Sequence, residues 1–149
     1  MVVENQPYVL EYNVRFGDPE TQVILPLLKN DTLDLFYHLA QGQLRPVELK
    51  NLFTACVVNA AKGYPDHAEK GAEIKFPAQY NNQILFCGVK KNQNNRLQVN
   101  GGRVLNIVTQ AEDIQSALNK AYEINSLIDF DGRQYRTDIG KNLKLPAPT

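Results

Sequence analysis

Between Phe53 and Val108 the sequence is patterned for short strands separated by tight turns, and this limits the fold more than any other feature. Residues 53–61 form a nearly continuous apolar run, the pattern of a buried strand. Residues 71–76 set Ala72, Ile74 and Phe76 against Glu73 and Lys75, a half-exposed strand. Residues 84–90 read as a strand apolar on both faces, and Leu97 and Val99 lead into another at 103–108. Gly63-Tyr64-Pro65-Asp66 and the polar residues 92–95 are turns. Asn100-Gly101-Gly102 lies between two strand runs and predicts a hairpin, its glycines supplying positive φ. One helix follows. Ile114, Ala117, Leu118, Ala121, Ile124 and Ile128 recur at helical spacing, after a predicted capping box at Thr109-Gln110-Ala111-Glu112.

The front of the chain differs. Tyr8, Leu10 and Tyr12 alternate with Glu11, Asn13 and Arg15, so a strand there would put the polar trio on one face, about 6.6 Å apart. A carboxylate and an amide oxygen are hard ligands suited to magnesium alongside phosphate oxygens and water. An arginine in the same row suits a phosphate or carboxylate through paired hydrogen bonds. The alternative is a half-solvated strand with one polar face. Asp18-Pro19-Glu20 predicts a helix start, with Asp18 as N-cap and Pro19 at the first position, running toward Leu28 and limited by Pro26. Asn30-Asp31 restarts a helix through Ala40 that Gly42 ends, and residues 43–51 are a connector.

Arg15-Phe16-Gly17-Asp18-Pro19-Glu20-Thr21-Gln22 resembles the signature of the phosphoribosylamine-glycine ligases, also called glycinamide ribonucleotide synthetases. The preceding Glu11-x-Asn13-x-Arg15 is similar to the metal-binding strand of the wider ATP-grasp superfamily. Asn100-Gly101-Gly102-Arg103-Val104-Leu105 and the stretch from Phe130 to Gly140 resemble the same family, in its order. The resemblance implies an α+β chain. Residues 1–45 would be the end of an ATP-grasp domain (strand plus helices), and 46–149 the family's C-terminal domain, a small antiparallel sheet with one packed helix. It implies that Glu11 and Asn13 hold Mg2+ or Mn2+ against ATP, and that Arg15 steadies the transferring group. Asp18, Glu20, Gly101, Gly102 and Arg103 would lie on the substrate side. The substrates would be ATP, glycine and 5-phosphoribosylamine. Family members are much longer, so the chain is expected to be a C-terminal fragment, inactive without the missing N-terminal part. A non-catalytic interaction module that keeps the signature is the alternative.

Charge and composition narrow the partners. Lys+Arg and Asp+Glu both number 16, so no basic excess argues for nucleic acid or an anionic membrane. No apolar run reaches membrane-spanning length, and a cytoplasmic location is expected. Cys56 and Cys87 lie in apolar runs and are expected as free, buried thiols, a single disulfide being the alternative; no Cys/His cluster suggests zinc. Arg136 with Asp138 reads as a structural ion pair, the alternative being a phosphate contact from Arg133 or Arg136.

Overall fold

A computed structural model describes residues 1–143. Leu145 to Thr149, which with Pro146 and Pro148 reads in the sequence as a frayed tail, lies outside the described residues. The chain is α+β. It begins with a two-stranded hairpin, β1 (Val2–Val3) and β2 (Gln6–Pro7), turned by Glu4 and Asn5 at positive φ. Helix α1 (Glu20–Ile24) passes into a tighter turn at Leu25–Leu27, where Pro26 removes a donor. Helix α2 (Thr32–Ala40) follows. Asp31 caps it by accepting the Asp34 amide at 2.8 Å, and Gly42 closes it at φ +75°.

The main sheet has three antiparallel strands. Strand β7 (Arg103–Ala111) is central, between β3 (Phe53–Ala60) and β4 (Ile84–Phe86). Val57 and Ile84 both face Ile107 in register. A separate hairpin joins β5 (Val89–Lys91) to β6 (Leu97–Val99). Helix α3 (Ile114–Ser126) buries Ala117, Leu118, Ala121 and Ile124 against β3 and β7, as its apolar stripe requires. Val57, Val104, Leu105 and Ile107 are fully buried in this core, which draws no residue from before Ala55. The opposite side of β3 receives α1 and the turn after it.

Four local expectations are corrected. Asn100-Gly101-Gly102 joins no hairpin, because β6 pairs with β5 while β7 pairs with β3 and β4. Neither glycine has a positive φ. The true hairpin turn is the Asn-rich one: Asn92 Oδ1 accepts the Asn94 and Arg96 amides at 2.9 and 3.0 Å, and Asn95 takes φ +62°. Residues 84–90 do not run as one strand but break at Cys87 and Gly88, where Gly88 closes on Gly101. Residues 71–76 bridge their neighbours only singly, Glu73 with Gln98 and Lys75 with Asp129. The capping box at Thr109 does not form. Thr109 stays in β7 and donates to the Ala117 carbonyl at 2.6 Å, while Asp113 caps α3 through the Ser116 amide at 2.8 Å. The strand ladder holds Thr109 until Ala111, so the next side chain free to cap is Asp113.

Candidate functional site

Residues 8–16 make no strand pairing among the described residues. The β1–β2 hairpin closes at Tyr8, whose amide donates to the Met1 carbonyl at 2.7 Å, and no neighbouring strand continues beyond it. The expected strand is therefore corrected to an unpaired, exposed segment; Val14 is 95% accessible and Tyr12 82%. The one-sided polar row survives this. Asn13 Nδ2 donates to Glu11 Oε1 at 3.0 Å, so the two heads meet at one point. They open with Arg15, Phe16, Gly17, Asp18 and Glu20 onto a cleft of about 390 Å³. At Gly17 a Cβ would run into the Glu20 carboxylate and lie 3.3 Å from Arg15 Nη1, so these two side chains close over the glycine from two sides.

Asp18 does not cap α1. Pro19 occupies that position with no side-chain cap. The Asp18 carboxylate has stronger partners: Arg103 Nη1 donates to Oδ2 at 2.9 Å and to the backbone carbonyl at 2.7 Å, and Gln22 Nε2 donates to Oδ1 at 2.7 Å. The Arg103 guanidinium holds the Asp18 carboxyl below its ordinary range, against partial burial, and Gln22 adds to the effect. Arg103 Nε in turn donates to the Tyr64 hydroxyl at 3.0 Å. The Asp18 pair, then the hydroxyl, push the Arg103 pKa further up. Gly101 and Gly102 stand outside the cleft. A Cβ on Gly101 would come 2.9 Å from Gly88 Cα, and one on Gly102 would enter the Tyr64 ring.

The cysteines are free, Cys56 half-buried and Cys87 exposed, so the expectation of burial fails for Cys87. Burial pushes the Cys56 thiol up to about 12, with the Asp18 charge adding to it, and raises Cys87 in the same way. Neither is a poised nucleophile. Arg133 donates to the Asn125 carbonyl at 2.6 Å and lies 4.6 Å over the Tyr135 ring, and Arg136 grips Asp138 at 2.7 and 2.9 Å. Both arginines are structural. A wider cleft of about 540 Å³ opens among Pro26, Tyr80, Gln83, Gln110 and Lys120 and holds none of the predicted site residues. Of the residues around Asp18, Tyr64 escaped the sequence reading because it read only as part of a turn. Gln22 was visible within the signature, but its bond to Asp18 was not.

Residues 54–142 match the family described as Phosphoribosylglycinamide synthetase, C domain. This chain belongs to that family. It is 41% identical to the phosphoribosylamine–glycine ligase of Fusobacterium nucleatum, over 94% of this chain and 34% of the relative. It is 43% identical to the human trifunctional purine biosynthetic protein adenosine-3, over 94% of this chain and 14% of that protein. The crystal structure of the Thermotoga maritima phosphoribosylamine–glycine ligase superposes with a TM-score of 0.83 at 42% identity, covering 93% of this chain and 34% of that one. The chain thus spans about a third of the length of the ligases it matches. Among the described residues no helix is long and apolar enough to cross a membrane, and no cluster of three or more acidic, His or Cys side chains stands ready for a metal.

Proposed function

We propose that this chain supplies the C-terminal third of an ATP-dependent, cytoplasmic ligase. That enzyme joins glycine to 5-phosphoribosylamine, giving glycinamide ribonucleotide, ADP and phosphate. The observation that carries the reading is the meeting of Glu11, Asn13 and Arg15 on one cleft in a chain of this family. Residues 1–45 would be the end of an ATP-grasp domain and 46–149 the family's C-terminal domain. The core's confinement to residues beyond Ala55 supports that division.

The donor set fits magnesium or manganese on a nucleotide, and only there. Glu11 Oε1 and the Asn13 amide are 3.0 Å apart, and turning the amide over presents its oxygen at that spacing. Two protein oxygens leave the other positions to phosphate and water, as magnesium prefers. The ion would neutralise the triphosphate and align its terminal phosphoryl group for the glycine carboxylate.

A carboxylate is a poor electrophile because its oxygen leaves badly. Transfer of the γ-phosphoryl to glycine gives glycyl phosphate and ADP. The phosphoribosylamine nitrogen then attacks the acyl carbon and phosphate departs. In this scheme Glu11 and Asn13 hold the metal nucleotide, and Arg15 faces the charge that spreads over the transferring oxygens. Glu20, which lines the same cleft, is proposed on the acceptor side, whereas Asp18 and Arg103 are engaged with each other and Gly101 and Gly102 stand outside the cleft.

Glycinamide ribonucleotide formation is measured for this chain alone, and for the chain mixed with the upstream two thirds of the Thermotoga maritima ligase. Silence alone and product on mixing are expected. Product from the chain alone contradicts the fragment reading. Silence from a folded mixture favours the interaction module, for which the apolar groove between Phe16, Ile24, Phe36 and Leu44 is the surface to test.

A further inference from the structure

We propose that Tyr64 and Arg103 are positioning residues of this site: the hydrogen-bonded chain from Tyr64 through Arg103 to Asp18 holds the corner at Gly17 and Asp18, and thereby the Glu11, Asn13 and Arg15 row. The inference rests on the proposed function and assigns Arg103 a different task from acceptor contact.

Three observations converge on it. First, Arg103 takes both the side chain and the backbone carbonyl of Asp18, at 2.9 and 2.7 Å, across 85 residues of sequence. A double grip of this kind fixes the orientation of a peptide as well as its position. Gln22 holds the second carboxylate oxygen from the first turns of α1, so the corner and the helix are tied together. Secondly, the row makes no hydrogen bond to the rest of the chain among the described residues. It pairs with no strand, and the side-chain bond between Asn13 and Glu11 stays within it. Phe16 beside it packs its ring on Phe36 at 5.6 Å, and the corner at Gly17 and Asp18 is the nearest point that hydrogen bonds tie to the rest of the chain.

Thirdly, the glycines of Asn100-Gly101-Gly102-Arg103 are explained by this chain and not by a turn. Gly102 leaves space that the Tyr64 ring fills, and Gly101 lets the Gly88 backbone approach. Neither needs a positive φ. The stretch therefore admits the ring that meets Arg103 Nε, leaving Nη1 aimed at Asp18.

Tyr64→Phe, Arg103→Lys and Asp18→Asn are compared in the ligase assembled from this chain and the upstream part of the Thermotoga maritima enzyme. Misplacing a reacting group by about 1 Å costs about 100-fold in rate, so each variant is expected to lower kcat by about 10- to 100-fold. The KM for phosphoribosylamine should stay within about two-fold, the pattern of an interaction needed in the transition state. The Asp18→Asn, Arg103→Lys double variant should be no slower than the worse single, because both act through one link. A rise in that KM with Arg103→Lys that Asp18→Asn does not reproduce would make Arg103 an acceptor contact and overturn the proposal.

Hydrogen exchange of the 149-residue chain gives a second readout that needs no activity. Tyr64→Phe should speed exchange at Thr21, whose amide bonds the Gly17 carbonyl at 3.0 Å, by about five-fold or more, while amides of β3 and β7 stay protected. Unchanged exchange there overturns the proposal. If the unsubstituted assembly makes no product, the proposed function fails, and the exchange result still decides whether the link exists.

Discussion

At the residue scale, the polar side chains divide into those that face the cleft and those consumed by structure, and their spacing alone does not separate them. Glu11 and Arg15 line open space, whereas both oxygens of Asp18 are engaged. The sequence marked Asp18 as a cap because Asp before Pro is a favoured helix start; a guanidinium 85 residues away outcompetes the local amides. The Asp18 pair sets a pH response. Its pKa is lowered from the ordinary 3.8, so its contribution is fully present above about pH 4 and fades as the pH falls through the folded value. Asp18 and Arg103 are each more than a third accessible, so the contribution is about 1 kcal/mol or less. Protection of the Thr21 amide, relative to its intrinsic exchange rate at each pH, should therefore fall below about pH 4 before that of the sheet, and Asp18→Asn should abolish that step. In the core, Asn59 donates to Asn125 Oδ1 at 2.8 Å with both residues buried. Asn59→Ala leaves Asn125 unpaired and should cost about 1–3 kcal/mol by urea unfolding. A cost under about 0.5 kcal/mol would mean that the pair is not formed.

Elements whose identity rests on a repeating apolar pattern were legible in the sequence, and those that depend on a partner were not. The stripe of α3 and the run that becomes β3 each carry their own period, so Ala117, Leu118 and Val57 are buried as expected. Strand β4 and the extended residues near Ile74 depend on which neighbours reach them. Residues 84–90 look uniform in sequence, yet break where the Gly88 backbone must lie against Gly101. Likewise Asn-Gly marks a hairpin only when the flanking strands pair with each other, and here they pair elsewhere. The contact at Gly88 predicts a severe substitution. A Cβ there would sit 2.6 Å from Gly101 Cα and 2.7 Å from the Arg103 carbonyl, both backbone atoms. Gly88→Ala should destabilise the chain by about 1–3 kcal/mol in thermal unfolding, as overpacked sites do. An unchanged midpoint would show that this crossing of backbones is looser than described.

Over the whole molecule, the chain joins a self-sufficient sheet-and-helix core to a front segment that is apolar and open. Leu10, Tyr12, Val14 and Phe16 are exposed, as are Leu33, Tyr37 and Leu44 nearby. Exposed apolar side chains in this number suit the docking to an upstream part that the proposed function calls for. The family signature was readable from consecutive residues, and the comparisons agree with it. The way the two parts are tied was not readable, since Tyr64, Arg103 and Asp18 meet only after β3 and β7 pair. If Glu11 holds the metal nucleotide as proposed, the magnesium dependence of product formation by the assembled ligase carrying Glu11→Gln reports it. Glu11 is exposed and, among the described residues, hydrogen-bonds only Asn13, so stability should stay within about 0.5 kcal/mol. A magnesium requirement at least about ten-fold higher, or a comparable loss of rate, is expected, no smaller than the loss when a mere outer-shell partner of a ligand is removed. The same magnesium dependence and rate as the unsubstituted assembly would contradict it.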